Sequence, residues 1–413
     1  MSLGLHRFAP YIGTMTRITT DILISGGGVA GLTAAAAFGS AGFTVICVDP
    51  EPPVTSATAA GADLRSTAFL QPSITVLQAA GLWEKLIPHA APLQTMRIID
   101  AGGEVNEPRR IKDFDASDVS DQPFGYNLPN WLLRREMVAR LAELPNVDFR
   151  PGAGTKSILT RQTEARITLT DGTAISARLL IGADGRNSFV RRALGIPVRT
   201  WRYGQKALTF AVTHPLPHAN VSTEIHRSGG PFTLVPLPDR DGLPASAVVW
   251  MSGGPEVLRL AALDTSAFES AINARSCHIL GPLTLASPRM VWPIISQIAD
   301  TLTATRTALM AEAAHVMPPI GAQGLNMSLT DIAALLELAT ATPGSLGDDA
   351  MLQAYQRARH RDIQTRVIGI DALNRASMLG SPTLRDLRGA ALEALYAVAP
   401  LRKTLMRAGL GLR

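Results

Sequence analysis

Cysteine is nearly missing: the 413 residues contain only Cys47 and Cys277. Two thiols cannot build a disulfide framework or a CxxC zinc site, which excludes the disulfide-stapled secreted classes and fits a reducing compartment. Charge is sparse too, at 18% of residues, and the positive surplus of five is nearly all arginine, scattered rather than clustered. A nucleic-acid protein more often carries a basic stripe interleaved with aromatics, so nucleic acid is not expected as a partner. No internal repeat, low-complexity tract or His/Cys cluster is present, and no metal is expected. Long apolar runs are also scarce. Val29 to Val48 alone is long enough to suggest a membrane span, but it holds Gly31, Gly39 and Gly42 and follows a glycine cluster. It reads instead as the helix and second strand of a strand–turn–helix–turn–strand unit. Met1 to Arg17 lacks a basic start followed by an apolar core, so it does not read as a signal peptide. A disordered extension over residues 1–17 is expected, with Met15 as an alternative start.

What is present is glycine in particular places. Asp21 to Ser25 reads as a buried strand, Gly26-Gly27-Gly28-Val29-Ala30-Gly31 fits GxGxxG, Leu32 to Ser40 is a helix of small residues, and Phe43 to Val48 is a strand ending at Asp49. A βαβ unit with an acid about 20 residues after the glycines is the context a dinucleotide fingerprint requires. Gly26, Gly28 and Gly31 let the backbone approach a pyrophosphate, and unpaired N–H groups of the helix face that anion. Asp49 is then placed to accept from a ribose. No second βαβ fingerprint follows, hence no separate nicotinamide domain.

A chain of this length is too long for one small core, and two or more subdomains are expected. Ile167 to Thr170, the Asp171-Gly172 turn and Ile175 to Ile181 form a hairpin by their turn chemistry. The hairpin runs into Gly182-Ala183-Asp184-Gly185, with Ser188 as cap of a helix over Phe189 to Leu194. Gly152-Ala153-Gly154 precedes a strand-like run and reads as a turn. Lys206 to Thr213, Ser222 to Ile225, Phe232 to Leu237 and Ala245 to Met251 are strand-like. They suggest a mostly antiparallel sheet inserted between parts of the first domain. Ser266 to Glu269 has the form of a capping box. From Asp348 onward the pattern is helical and rich in arginine.

A second glycine-rich segment lies at Met310 to Asp331. Pro318-Pro319 fixes φ and removes two donors. Gly321, Ala322 and Gly324 leave room for a flat ligand against the main chain. Leu325, Leu329, Ile332 and Leu336 keep helical spacing, so a helix begins near Gly324 and presents its N–H groups there. A reduced flavin carries negative charge at one edge of its rings, and a helix N-terminus stabilises it. The segment reads as a flavin cradle, with the βαβ unit holding the other end of the same dinucleotide.

Three motifs stand in order: the GxGxxG unit through Asp49, Gly182-Ala183-Asp184-Gly185-Arg186-Asn187-Ser188-Phe189-Val190-Arg191, and His315 through Asn326. With these motifs the chain resembles the class A flavin monooxygenases of the p-hydroxybenzoate hydroxylase fold. Asp63-Leu64-Arg65-Ser66-Thr67-Ala68, Tyr355 to Asp362 and Leu373-Asn374-Arg375 are similar to segments of the ubiquinone-biosynthesis hydroxylases. The resemblance covers nearly the whole chain from Asp21. It implies an α/β fold: a Rossmann-like FAD-binding domain (residues 18–90, 131–200 and 296–345), an inserted antiparallel β-sheet substrate domain (91–130 and 201–295) and a C-terminal helical region (346–413). It implies FAD as cofactor, with NAD(P)H and O2, and hydroxylation of the aromatic ring of a polyprenylated phenol in ubiquinone biosynthesis through a flavin C4a-hydroperoxide. Other proteins of that pathway become candidate partners. The implied location is cytoplasmic, peripheral on the inner face of the cytoplasmic membrane. A hydroxylase of a small soluble aromatic, or a non-catalytic flavin-binding subunit, stays open as an alternative.

The resemblance also assigns roles. Arg65 faces the FAD pyrophosphate; Arg134, or Arg135 in its place, reaches FAD after the crossover. Asp184 touches the FAD ribose, with Gly185 beside it. Leu325 and Asn326 offer backbone N–H groups to the pyrimidine edge, and the backbone of Pro318 and Pro319 lines the space between flavin and substrate. His315 is implied to be structural, packed behind the flavin. One place departs from the family pattern: Gly-Asp before Ala-Ala-His is replaced by Ala311-Glu312. Glu312 keeps the carboxylate that holds the ribityl chain, and FAD binding is expected to survive. Finally, Ala391 to Leu412 mixes Leu392, Leu395, Tyr396, Val398, Leu401, Leu405, Met406 and Leu410 with Arg402, Lys403, Arg407 and Arg413. Pro400 is expected to divide it into two short helices. This tail either docks on an anionic membrane surface or packs on its own domain.

Overall fold

A computed structural model describes residues 17–103, 107–378 and 382–411. The expected extension over 1–17 therefore lies outside the described residues but for Arg17. The strand Ile18–Ser25 is buried between Ala174–Gly182 and Val45–Asp49, both parallel to it. Val147–Pro151 extends the sheet beyond Val45–Asp49, and Thr307–Leu309 extends it beyond Ala174–Gly182, again in parallel. Buried on both faces, the inner strands Ile18–Ser25 and Val45–Asp49 read as apolar runs rather than alternating ones, whereas Val147–Pro151 at the edge is partly exposed. The helix Val29–Ser40 crosses the sheet between the helices Asn130–Ala142 and Gln323–Ala341. Its alanines and glycines allow that close approach; a Cβ on Gly39 meets Val147 at 2.3 Å.

A nine-stranded sheet follows, mostly antiparallel, in the order His315–Val316, Met290–Ala299, Val198–Thr213, Leu243–Gly253, Pro231–Arg240, Val221–His226, Thr95–Asp100, Arg110–Asp115, with Thr284–Leu285 beside Val198–Thr213. The pair Val221–His226 and Thr95–Asp100 is parallel. One face buries Leu208, Phe210, Phe232 and Trp250 under the helices Gly254–Ala262 and Thr265–Arg275. The other carries Ala207, Met251 and Ile294, which join the core of the parallel sheet. The expected α/β fold with an inserted antiparallel sheet and a helical C-terminal region is borne out. The strands Val198–Thr213 and Met290–Ala299 run unbroken across the expected boundaries at 200/201 and 295/296.

Two local readings need correction. The helix Thr265–Arg275 is capped by Asp264, whose carboxylate accepts from Ala267 N at 2.8 Å, and not by a box starting at Ser266. Glu269 instead accepts from Leu285 N, tying the helix to the sheet. The three-stranded sheet of Ser66–Leu70, Gly125–Pro129 and Ala91–Leu93 was not legible as strands. The expected hairpin turn, the Ser188 cap and the division of the tail are all present. Gly172 has φ +89°, Ser188 accepts from Arg191 N at 2.9 Å, and the tail forms Pro382–Ala397 and Ala399–Leu410.

The tail packs more than the membrane reading supposes. Met406 and Leu410 are buried against Leu70, Phe114, Ala116 and Phe124, and the Tyr396 ring meets Phe114 edge-on at 5.4 Å. Gln323 at the head of its helix donates to Gly409 O at 2.9 Å. On the same final helix Leu401 and Leu405 remain 46% and 43% exposed. No helix among the described residues is long and apolar enough to cross a membrane.

Candidate cofactor site

The first glycine turn is shaped by contacts that forbid side chains on one side and leave the other open. Gly26 has φ +118°, and a Cβ on it lies 2.3 Å from Ala183 O; on Gly31 a Cβ lies 1.9 Å from Gly26 O. A Cβ on Gly28 meets nothing within 4 Å. Gly28 is the N-cap of Val29–Ser40, so the N–H groups of Val29, Ala30 and Gly31 start the helix beside open space. Asp49 closes the turn from the end of its strand, accepting from Gly27 N at 2.5 Å and from Glu51 N at 2.9 Å.

The second motif meets the first at Ala183, whose N–H donates to Ser25 O at 2.8 Å. Asp184 accepts from Ser188 Oγ and from Val190 N, which fixes the helix Phe189–Ala193. Gly185 has φ +79° with open space around its Cβ position.

The third motif supplies a second helix start. Gly321 and Ala322 are left-handed, at φ +61° and +56°, and turn the chain into Gln323–Ala341. A Cβ on Gly324 again meets nothing within 4 Å. Pro318 is buried, while Pro319, Gly321 and Gly324 are exposed. Asn326 does more than offer a backbone N–H. Its buried side chain accepts from Leu70 N (2.8 Å) and Ser73 Oγ (2.6 Å) and donates to Ala68 O (2.7 Å) and Ala322 O (2.6 Å). It thus locks the cradle to the Asp63–Ala68 segment. A polar residue amid the apolar spacing of Leu325, Leu329 and Ile332 was the signal available for this role.

Asp63, buried, gathers three partners. Arg65 grips it in a fork of 2.8 and 2.7 Å, Asn130 Nδ2 donates at 3.0 Å, and Arg134 Nη2 lies at 3.5 Å. Burial works to raise the Asp63 carboxyl, but the Arg65 guanidinium, Asn130 and Arg134 outweigh it and hold it below the usual carboxylate range. The Arg65 guanidinium also lies 4.0 Å from the Trp292 ring centre, so it spans from the parallel-sheet unit to the antiparallel sheet. Of the two arginines left open, Arg134 joins this cluster, whereas Arg135 turns to Glu136 and Trp131.

Glu312 sits in the short turn Ala311–Ala313, half exposed, with Arg186 Nε 3.5 Å from its carboxylate. Ala311 is left-handed at φ +54°, a conformation costing roughly 1 kcal/mol more for alanine than for glycine. That is where the departure from Gly-Asp is felt, in the backbone of Ala311. His315 is buried, and its Nε2 donates to Asp331 Oδ2 at 2.7 Å; Arg359 Nε donates to Asp331 Oδ1 at 2.8 Å. Burial works to raise the fully buried Asp331 carboxyl, but His315 and Arg359 outweigh it and hold it down. Sequence reasoning missed Asp331 and Arg359, which lie on different helices.

The sequence profile described as FAD binding domain matches residues 19–368. The chain belongs to this family. Its cofactor is FAD, and the residues present fit it: two helix N-termini each carry a glycine whose Cβ position is empty, Gly28 and Gly324, and Asp63 gathers Arg65 and Arg134. The ubiquinone hydroxylase UbiL of Rhodospirillum rubrum is 32% identical over 97% of this chain and 92% of that one. The 3-demethoxyubiquinol 3-hydroxylase of Escherichia coli is 25% identical, over 96% of this chain and all of that one. Among solved structures, the p-nitrophenol 4-monooxygenase PnpA of Pseudomonas putida shares the fold at TM-score 0.77 and 18% identity, covering 96% of this chain and 99% of that one. The expectation of a flavin monooxygenase with an inserted antiparallel sheet is thereby borne out.

Proposed function

We propose that this protein hydroxylates the ring of a polyprenylated phenol or quinol in ubiquinone biosynthesis, using FAD, O2 and NAD(P)H. The observation that carries this reading is the collinear match to the Rhodospirillum rubrum ubiquinone hydroxylase over 97% of the chain. It is supported by Arg65, which joins Asp63 to Trp292 of the antiparallel sheet. In this reading residues 18–90, 131–200 and 296–345 bind the cofactor, 91–130 and 201–295 face the substrate, and 346–413 brace both.

FAD supplies the activation of O2; the protein binds, orients and excludes water. The N–H groups of the Gly26–Gly31 turn take the pyrophosphate and Asp49 takes a ribose hydroxyl. Arg65 and Arg134, neutralised in part by Asp63, face the phosphates. Asp184 and Gly185 border the ribose, and Glu312 accepts from the ribityl chain. Gly321, Gly324, Leu325 and Asn326 offer the cradle's backbone, and Pro318 and Pro319 line the space where a ring meets the flavin. Trp292, under Arg65, forms the sheet side of that space. Contact with the inner membrane face, where a prenylated substrate dissolves, belongs to the same proposal. Its candidate surface is the exposed apolar side of Ala399–Leu410.

The test is deletion of the gene followed by mass spectrometry of quinone intermediates, with the purified protein assayed for bound FAD. Accumulation of an intermediate lacking one ring hydroxyl, restored by the wild-type gene, is expected. An unchanged quinone profile refutes the pathway, and a colourless protein that takes up no FAD refutes the chemistry.

A further inference from the structure

We propose that Asp331 and Arg191 are positioning residues: together they clamp the Ala311–Ala313 turn from two sides and so aim the Glu312 carboxylate at the cofactor. The inference rests on the reading of Glu312 as a ribityl ligand.

Glu312 is half exposed, and among the described residues its one ion pair is with Arg186 at 3.5 Å, with the Arg65 charge acting from further off, so its side chain does little to orient itself. Its direction must come from the backbone, and the backbone there is left-handed at an alanine. Three bonds from distant parts of the chain hold it, and a fourth ties in the backbone of Arg186. Asp331 Oδ2 accepts from Ala311 N at 3.1 Å. Arg191 Nη1 donates to Ala313 O at 2.8 Å, and its Nη2 donates to Arg186 O at 2.9 Å. Met310 N donates to Gly182 O at 3.0 Å. Arg191 is 4% exposed and Asp331 fully buried, so both bonds form out of reach of water. Arg191 has a double effect: it ties the turn of Glu312 to the backbone of Arg186, the residue whose side chain faces that carboxylate.

Asp331 acts as an acceptor on both oxygens. Oδ2 takes two donors, from Ala311 and His315, and Oδ1 takes Arg359. An asparagine there must point its NH2 at one of these donors, and either orientation sets donor against donor. Lysine at 191 keeps the charge but cannot reach two carbonyls in a planar fork.

The test is a cycle of FAD dissociation constants, read by flavin fluorescence on protein of wild-type circular dichroism. In the wild-type background Glu312→Ala is expected to weaken binding by about tenfold, the loss of one hydrogen bond to a charged acceptor. In the Asp331→Asn or Arg191→Lys background the same change should add less than about twofold, because the carboxylate is already misaimed; generally destabilised proteins instead show additive losses. If Asp331→Asn does not fold, Arg191→Lys carries the test. A full tenfold effect of Glu312→Ala in the Arg191→Lys background overturns the inference. No effect of Glu312→Ala in the wild-type background overturns the ribityl reading and the inference with it.

Discussion

Gly28→Val separates folding from cofactor binding. The backbone at Gly28 is extended, φ −70° and ψ 176°, a region open to any residue, and no atom lies within 4 Å of the position a Cβ takes. The variant therefore meets no clash in the protein itself. Its folding cost is limited to a worse N-cap, about 1 kcal/mol or less, which in a chain this long lowers the melting temperature by a few degrees at most. Binding is another matter. The valine side chain fills the space beside the first N–H groups of Val29–Ser40, where the pyrophosphate is expected. Loss of two charge-assisted hydrogen bonds at about 1.5–3 kcal/mol each weakens FAD by roughly a hundredfold to ten-thousandfold. Titrating apoprotein with FAD, alongside a melting curve, measures both. The internal control is Gly31→Ala, whose Cβ falls 1.9 Å from Gly26 O. That variant should lose stability first. A Gly28→Val protein that melts like wild type and binds FAD equally well refutes the placement of the pyrophosphate.

Glu312→Asp is expected to retain most FAD affinity while Glu312→Ala loses it, checked by the same titration; equal affinities remove Glu312 from the site. Stability should hold from neutral pH to about 4 and fall below. Asp63 and Asp331 lie below their ordinary values and Asp115 is lowered to about 2, so their contribution is present above about 4 and lost as pH drops through the folded values. Melting temperatures from pH 7 to 2 check this, and a flat profile contradicts it. Replacing exposed Leu401 and Leu405 with glutamine should abolish flotation with anionic liposomes at unchanged melting temperature. Met406→Ala, in the buried part of the same helix, should cost about 2–5 kcal/mol of stability. Unchanged flotation of the Leu401/Leu405 variant, or no flotation of the wild type, excludes that face as the membrane contact.

The parts legible in the sequence were those where local chemistry leaves little choice. Gly31 is required because another residue's Cβ would enter the Gly26 carbonyl, and Gly172 because its turn needs positive φ. Such demands mark the motifs without knowledge of the rest. What stayed hidden depends on distant pairing. Ser66–Leu70 becomes a strand only beside Gly125–Pro129, and Asp331 becomes an anchor only when Arg359 and His315 arrive from other elements. The tail was legible as two short helices, but not in its division of labour. Its burial pattern depends on Phe114 and Phe124, which the fold brings from far along the chain.

The strand Val198–Thr213 has a practical consequence for anyone who wants to take the protein apart. It pairs with Met290–Ala299 over Val198–Arg202 and again over Lys206–Thr209, and with Leu243–Gly253 along nine residues, so it is stitched into the sheet before and after the place where the two domains meet in sequence. A fragment that stops near residue 200 loses Thr307–Leu309 from its parallel sheet, and a fragment that starts there loses Thr95–Asp100, which leaves Val221–His226 as an unpaired edge. Split-reporter or fragment-complementation designs are better cut at the Asp241-Gly242 hairpin tip, where Asp241 is nearly fully exposed. A nick there leaves every long strand whole, so the two pieces can find each other by sheet completion.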